Sequence, residues 1–340
     1  MKLRKLALRL LGILCLLFLA AAPQAAYGKF TIIVLPDTQN YSDDNPDVYF
    51  KAQTQWIADS KSTLNIAFVA HVGDVVNTRT SATEYTRANE AMDWLDSGAV
   101  PYGVSPGNHD MGSGSLYPSY FGTTRFSGKP YFKPDSSYDD YNHYFLFTAD
   151  GMDFIIIFLQ YNPGTAVLDW ADARLKAYPN RRGIVVSHNI LSTGNPANRT
   201  TEGQNIFNAL NDNPNLFMML CGHISGEGRR VDTGTNGNTI YSVLADYQSE
   251  TNGGNGFLRI MEYDPNTDLI NVTSYSPYTE TYKTAGSSQF SLSYNMLYGD
   301  INAIDCDVDG SDLAVWIADY AHKAIDVAPF AQNFGNNACQ

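Results

Sequence analysis

Residues 100–110 read VPYGVSPGNHD. An apolar run of strand length stops at Val104, and the chain then delivers Asn108, His109 and Asp110 directly after Gly107. In open α/β sheets, ligands gather just past the carboxyl ends of strands, and this stretch carries polar, metal-competent side chains to that edge. One histidine after one strand is an ordinary structural feature. Its weight depends on whether other strands do the same.

Four do. The run 30–35 leads to Asp37 and Gln39, and 66–70 leads to His71 and Asp74. The run 183–186 leads to His188, and 216–220 leads to His223. A further run, 154–159, ends without such a cluster. All are short and rich in Ile, Val and Phe, the pattern of buried strands. Helical patterns lie between them: from Asn45-Pro46 to about Ser60, from the capping-box sequence Ser81-Ala-Thr-Glu84 to about Asp96, over 165–177 before Pro179, and over 201–211. Strands alternating with helices predict an α/β domain. The later runs 238–245, 256–263 and 269–275 read as antiparallel strands, with Asp264-Pro265 as a turn.

Composition narrows the function classes. The 340 residues are 44% hydrophobic and 17% charged, enough for one large domain and a small module. Residues 1–28 have the form of a secretory signal: Lys2, Arg4, Lys5 and Arg9 precede the apolar stretch 10–22, and Ala26-Tyr-Gly28 offers small residues for cleavage. A retained membrane anchor is the competing reading, and the apolar stretch is short for a span. Loss of that segment takes the formal charge from −13 to −17, because its four basic residues leave and no acidic ones do. Such a charge argues against tight nucleic-acid binding and suits a secreted or periplasmic protein exposed to calcium. Cys15 leaves with the signal, and Cys221 ends an apolar run as a small buried residue. Cys306 and Cys339 remain, the pair available for a disulfide in an oxidising compartment.

The ordered set Asp37-Thr38-Gln39, Gly73-Asp74, Gly107-Asn108-His109-Asp110, Ser187-His188 and Gly222-His223 resembles the five motifs of the calcineurin-like metallophosphoesterases, over about residues 29–285. That resemblance implies a four-layer α/β-sandwich. It also implies hydrolysis of phosphate mono- or diesters through a metal-activated water. Two divalent cations about 3.5–4 Å apart clamp the phosphate in such centres. By resemblance, Asp74 bridges the ions and completes one site with Asn108, His188 and His223, a mixed set suited to Zn, Fe or Mn. Asp37, residue 39, Asp74 and residue 225 make the other.

Here the chain departs from the pattern. The family has histidines at positions 39 and 225, and this sequence has Gln39 and Ser225. Asp-Thr-Gln resembles a variant found in secreted members. Without imidazoles the second site is oxygen-rich and favours a weaker Mn, Mg or Ca. Glu227 either lends it a carboxylate or is a solvated turn residue. His109 matches the non-ligand histidine that touches phosphate and protonates the leaving group. Asp110 either orients that ring or holds the loop. His71 reads as structural or as a support to the ligands, and His143 and His322 as surface or packing residues. Arg229 and Arg230 read as a solvated pair, with phosphate binding as the alternative. The aromatic insert 112–143 is expected to cover the site. A metallophosphoesterase-fold protein that binds rather than catalyses is the rival reading, and Ser225 is what favours it.

Residues 299–340 change character. Asp300, Asn302, Asp305, Asp307, Asp309 and Asp312 form an acidic ladder followed by an apolar helical pattern from Leu313. Alternating oxygen ligands in a tight loop describe a calcium site. The segment resembles half of a dockerin or a related EF-hand-like repeat, which implies an extracellular scaffold or surface partner. Residues 286–298 read as the linker to it. After signal cleavage no membrane association is expected.

Overall fold

The structure is a computed structural model that describes residues 28–43, 48–135 and 139–296. The signal segment, the start of the first expected helix at Asn45-Pro46, and the calcium module with His322, Cys306 and Cys339 lie outside the described residues. The chain divides into two compact units. Residues 29–264 and 269–294 form the one that carries the motifs; the other takes 1–28, 265–268 and 295–340. No described helix is long and apolar enough to cross a membrane.

The motif-bearing unit is built on two mixed sheets. Its chain opens with β1 (Phe30–Leu35), β2 (Ile66–His71) and β3 (Tyr102–Val104), parallel neighbours in the first sheet. It then builds the second sheet from β4 (His143–Ala149), β5 (Met152–Leu159), β6 (Arg182–Ser187), β7 (Leu191–Gly194), β8 (Ala197–Arg199), β9 (Leu216–Cys221), β10 (Gly226–Thr233) and β11 (Thr239–Asp246). That sheet runs in the order β4-β5-β6-β9-β11-β10-β7-β8. The chain returns to the first sheet with β12 (Leu258–Asp264), β13 (Leu269–Ser276), β14 (Thr281–Lys283) and β15 (Gln289–Ser293). β12 pairs antiparallel with β1, and β13 with β12, β14 and β15.

Why the strands lie where they do follows from their composition. β1 and β9 are buried at every residue, as strands covered on both faces must be. Between the sheets the filling is aromatic. Phe68 of β2 lies against Phe145, Phe147 and Phe158 of the second sheet, and Phe30 against Phe154. Each such ring pair adds about 0.5–1.5 kcal/mol beyond its buried area. On the outer face of the second sheet, helices Thr165–Ala177 and Thr201–Leu210 bury Leu168, Ala171, Leu175, Ile206 and Leu210 against Ile155, Val185 and Leu216. Helices Val48–Ser60 and Ala82–Ser97 belong with the first sheet, where the Phe50 ring meets His71. This is the four-layer arrangement expected from sequence.

Local signals worked as physical chemistry requires, with two differences. Ser81 caps its helix by accepting from the Glu84 N–H, a bond that supplies about 1 kcal/mol. The Glu84 carboxylate does not return to Ser81 but takes the N–H groups of Asn77 and Thr78, so it braces the approach loop as well. Residues 289–293, expected inside a linker, are strand β15, because β13 offered an open edge and Leu292 a residue to bury.

Candidate metal centre

Five strands end at one edge of the two sheets, and each hands on a motif residue. Asp37 follows β1, Asp74 follows β2, and Asn108 with His109 follows β3. His188 follows β6 and His223 follows β9. The turns are tight enough that glycine is required. A Cβ on Gly107 would lie 2.1 Å from Asp74 Oδ1, and one on Gly222 would lie 2.3 Å from Asp37 Oδ1. Asp74 and His223 themselves hold positive φ, +52° and +70°, a conformation that non-glycine residues adopt at a cost.

Three of these side chains converge. Asp74, His188 and His223 each offer a ligand atom within 4.8 Å of the others. His188 Nδ1 donates to the Val72 carbonyl at 3.0 Å, which fixes its tautomer. Its Nε2 is thereby turned toward Asp74 Oδ2 at 3.0 Å and His223 Nδ1 at 3.2 Å. A backbone carbonyl orienting one ring nitrogen while the other faces carboxylate and imidazole is the second-sphere arrangement of a metal-ligating histidine. Asn108 Oδ1 is buried with no hydrogen-bond partner among the described residues, and so is Gln39 Oε1. Buried acceptors left without donors call for an electropositive group, so the donor set fits divalent ions.

The electrostatics point the same way. Burial pushes the Asp37 carboxyl well above the usual range, with His188 opposing and Asp246 and Asp74 adding to it. Burial works against a charge on His188, but Asp74 and Asp37 outweigh it and lift its pKa to about 10. Burial also raises Asp74, yet His188 and the His109 N–H bring it net below its ordinary value. The pocket is short of positive charge, which a proton supplies here and a cation would supply better.

His109 lies beside this group and is held for a different task. Its N–H donates to Asp74 Oδ1 at 2.8 Å, and its Nδ1 donates to the Asn77 carbonyl at 2.7 Å. Among the described residues no hydrogen bond engages its Nε2. Asp110 is corrected from its candidate catalytic role. It is fully buried, and its oxygens take the N–H groups of Val75, Val76 and Gly107 at 2.8–3.2 Å. It staples the Asp74 loop to the Asn108 loop and makes no bond to the His109 ring.

Other expectations change as well. Ser225 Oγ accepts from the Ser249 N–H at 3.3 Å. Glu227 is neither a ligand nor solvated. It binds Arg259 Nη2 at 2.7 Å and the hydroxyls of Tyr247 and Ser274 at 2.8 Å, with Ser288 completing its shell. Arg229 lies over the Phe290 ring, and Arg230 pairs with Asp232. His71 is structural: Nδ1 accepts from the Gly73 N–H, so Nε2 carries the proton and donates to Thr38. Burial lowers its pKa to about 3. Among the described residues the insert makes no ring contact with His188 or His223. Tyr120 stacks on Tyr85 of helix Ala82–Ser97, and Phe126 and Phe132 meet His143 and Phe145 of β4.

Sequence reasoning missed several residues. Tyr161, after β5, sets its ring 6.0 Å from that of His188 and 5.7 Å from that of His223. Glu202 ties Asn162 N–H and Ser187 into the loop that carries His188. Asp246 ends β11 and Gln248 follows it; the strand is antiparallel to β10 but parallel to β9, so it ends at the metal edge like the others. Gln248 Nε2 donates to Asp246 Oδ2 at 3.1 Å and lies 3.4 Å from the His223 carbonyl, and its Oε1 accepts from Gln39.

A two-sheet α/β protein with carboxylate, amide and imidazole side chains gathered at its strand ends has the make-up of a metal-binding protein. The particular family follows from comparison. Residues 30–226 match the family model described as calcineurin-like phosphoesterase, and the chain belongs to that family. It is 33% identical over 291 residues to the uncharacterized protein YvnB of Bacillus subtilis (strain 168), covering 80% of this chain. The match spans only 22% of the length of that relative. A dimetal phosphatase from Danio rerio superposes with a TM-score of 0.53 at 14% identity, over 78% of this chain and 99% of that one. A purple acid phosphatase from seeds of yellow lupin (Lupinus luteus) gives 0.52 at 14% identity, over 81% and 55%. At these identities the likeness to the solved structures is one of fold.

Proposed function

We propose that the protein is a secreted, metal-dependent phosphoesterase that hydrolyses phosphate mono- or diesters. The observation that carries this is the convergence of Asp74, His188 and His223 beside a histidine held out of their cluster with Nε2 unengaged. Buried carboxylates repel a phosphate, so ester binding here needs bound cations. Divalent ions at this centre would supply Lewis-acid stabilisation of the phosphoryl oxygens and a water of lowered pKa. Asp74, Asn108, His188 and His223 would hold one ion tightly, as Zn, Fe or Mn. Asp37 and Gln39 serve a second, weaker one, as Mn, Mg or Ca. His109 donates Nδ1–H to Asn77, so Nε2 is the ring atom left to exchange a proton with the substrate; once it has taken up a proton from solvent, the imidazolium would deliver that proton to the leaving oxygen. Tyr161 offers a ring face beside the two histidines for the organic part of the ester.

Export and the tail belong to the same proposal. The basic and apolar segment within residues 1–28 supports secretion, and the ladder from Asp300 to Asp312 supports a calcium-binding module that engages an extracellular partner. The rival, a binding protein on this fold, draws on Ser225, whose Oγ is bonded to the Ser249 N–H. A panel of phosphate mono- and diesters assayed with Mn, before and after chelation, separates the two. Hydrolysis that chelation abolishes and Mn restores is expected. No cleavage of any ester under any metal would leave the binding protein.

A further inference from the structure

The strand β5 brings no Asp or His to the centre, yet two residues past its end it brings Tyr161. The backbone there is tied on three sides. Tyr161 N–H donates to the Pro106 carbonyl at 3.1 Å, in the loop that leads to Asn108. Gln160 N–H donates to Asn142 Oδ1 at 2.9 Å, and Gln160 Oε1 accepts from Asn142 Nδ2 at 2.8 Å. Asn162 N–H donates to Glu202 Oε1 at 2.8 Å, and the same oxygen takes the Ser187 hydroxyl, next to His188, at 3.3 Å. Tyr161 is therefore fixed relative to the loops that carry Asn108 and His188. Its ring lies against both His188 and His223, and among the described residues no hydrogen bond engages its hydroxyl.

The two histidines differ in what aims them. His188 Nδ1 is held by the Val72 carbonyl, which leaves Nε2 for the cluster. His223 turns Nδ1 toward His188 Nε2 at 3.2 Å, and its own Nε2 has no hydrogen-bond partner among the described residues. A metal-ligating imidazole almost always has its second nitrogen held by a carboxylate, a carbonyl or water, and that bond sets the angle of the ring. His223 has no such bond from the protein. What lies against it is the Tyr161 ring, centroid to centroid 5.7 Å and tilted by 53°. A flat side chain on a fixed backbone restricts rotation of the imidazole about its side-chain torsions, and such ring pairs attract at this spacing.

We propose that Tyr161 is a positioning residue for the tightly held ion: its ring stands in for the hydrogen bond that His223 lacks and keeps that imidazole at the angle the ion needs. The proposal rests on the metal-dependent reading of the centre and adds a residue that acts through His223. The ring does this and the hydroxyl does not, so phenylalanine should replace Tyr161 and smaller or unflattened side chains should not. The role is separate from any contact of the same ring with the ester, and the test keeps the two apart.

The test is metal binding by the full chain, read without turnover. Protein stripped by chelation is titrated with Mn alone and followed by calorimetry and by metal content per chain. Tyr161→Ala should bind the first Mn about tenfold more weakly than wild type, the lower end of the losses seen when the support of a ligand is removed, and Tyr161→Phe should stay within about twofold. Tyr161→Leu, which fills much of the space without a flat ring, should lie between them. The second ion should be unaffected in all three, because no imidazole is assigned to it. Wild-type affinity for the first Mn in Tyr161→Ala overturns the assignment and leaves the phosphoesterase reading standing; a raised KM for an aryl ester in that variant would then make Tyr161 a substrate contact alone. Equal losses in Tyr161→Phe and Tyr161→Ala would give the role to the hydroxyl and overturn it as well. So would equal weakening of both ions, which marks general loosening of the fold. The melting temperature of each stripped variant shows whether it folds. If Tyr161→Ala does not, Tyr161→Leu carries the test, and a Tyr161→Leu that also fails to fold overturns the assignment, since the ring would then be structural. Wild type that binds no Mn at all fails the functional reading first.

Discussion

The half of the centre that holds His188 and His223 follows strands of the second sheet, the half that holds Asp37 and Gln39 follows β1 of the first, and the two differ in their donor atoms. In the first, the His188 ring is aimed by the Val72 carbonyl and meets both Asp74 and the His223 ring within hydrogen-bond distance. In the second, oxygens stand alone, from Asp37 and Gln39. The serine where an imidazole would complete the pattern is spent on the Ser249 backbone. On the proposed reading, the contrast teaches that a fold can keep the position of a two-ion centre while changing its chemistry. Nitrogen donors bind borderline-soft ions tightly, and oxygen donors bind hard ions loosely.

The comparison can be broken at its shared member. Asp74 faces His188 with one oxygen and receives the His109 N–H with the other, and it is the proposed bridge between the halves. Asp74→Ala should lower phosphoesterase activity by about a thousandfold or more, the scale of losing a central charge-stabilising group, and should deplete both ions. Metal analysis and kcat/KM on one preparation check this, and normal metal content would remove Asp74 from its bridging role. Next in size is His109→Ala. It should lower kcat by about a hundredfold while both ions stay, because no ligand is touched. Metal loss in that variant would move His109 into the coordination shell.

A smaller change sharpens the contrast between the halves. Ser225→His gives up the bond to Ser249 and puts an imidazole next to the oxygen-only side. The second ion should then bind Zn about tenfold more tightly, a step of the size known for single changes around metal sites. Competition between Zn and Mn in calorimetry reads it, and unchanged selectivity would mean that residue 225 does not reach the ion.

The smallest effect on catalysis belongs to a histidine remote from both halves. His143 lies among Phe126, Phe132 and Phe145 with neither ring nitrogen partnered among the described residues. Burial lowers its pKa to about 4, against the opposing pull of Asp140 and Asp139. An unfolded chain takes up this proton near pH 6.5, and the folded one refuses it until about pH 4, so stability falls as pH drops through that window. The loss is at most about 3 kcal/mol. His143→Phe should flatten the decline of the denaturant midpoint between pH 7.5 and 5 and leave the rate at pH 7.5 unchanged. An equally steep decline in the variant would place the acid sensitivity elsewhere.

What was legible in the sequence was what is local. Five apolar runs ending in Asp, Asn or His announced the strands and their ligands, because strand burial and strand-end placement are written in adjacent residues. What failed was long-range. The run before Asp246 reads as antiparallel, which is true of its pairing with β10 but conceals its parallel pairing with β9. That second neighbour decides which edge Asp246 reaches. Glu227 looked available because its four partners, Arg259, Tyr247, Ser274 and Ser288, lie 20–61 residues downstream. Residues 289–293 looked like linker because nothing nearby names the open edge of β13.

The most direct test of the account is turnover of an aryl phosphodiester measured against equivalents of Mn added per stripped chain. The account expects little turnover through the first equivalent, when the imidazole-bearing half fills, and a rise that follows the second. Turnover that is complete at one equivalent, or that never appears at any loading, would contradict a two-ion phosphoesterase with unequal halves.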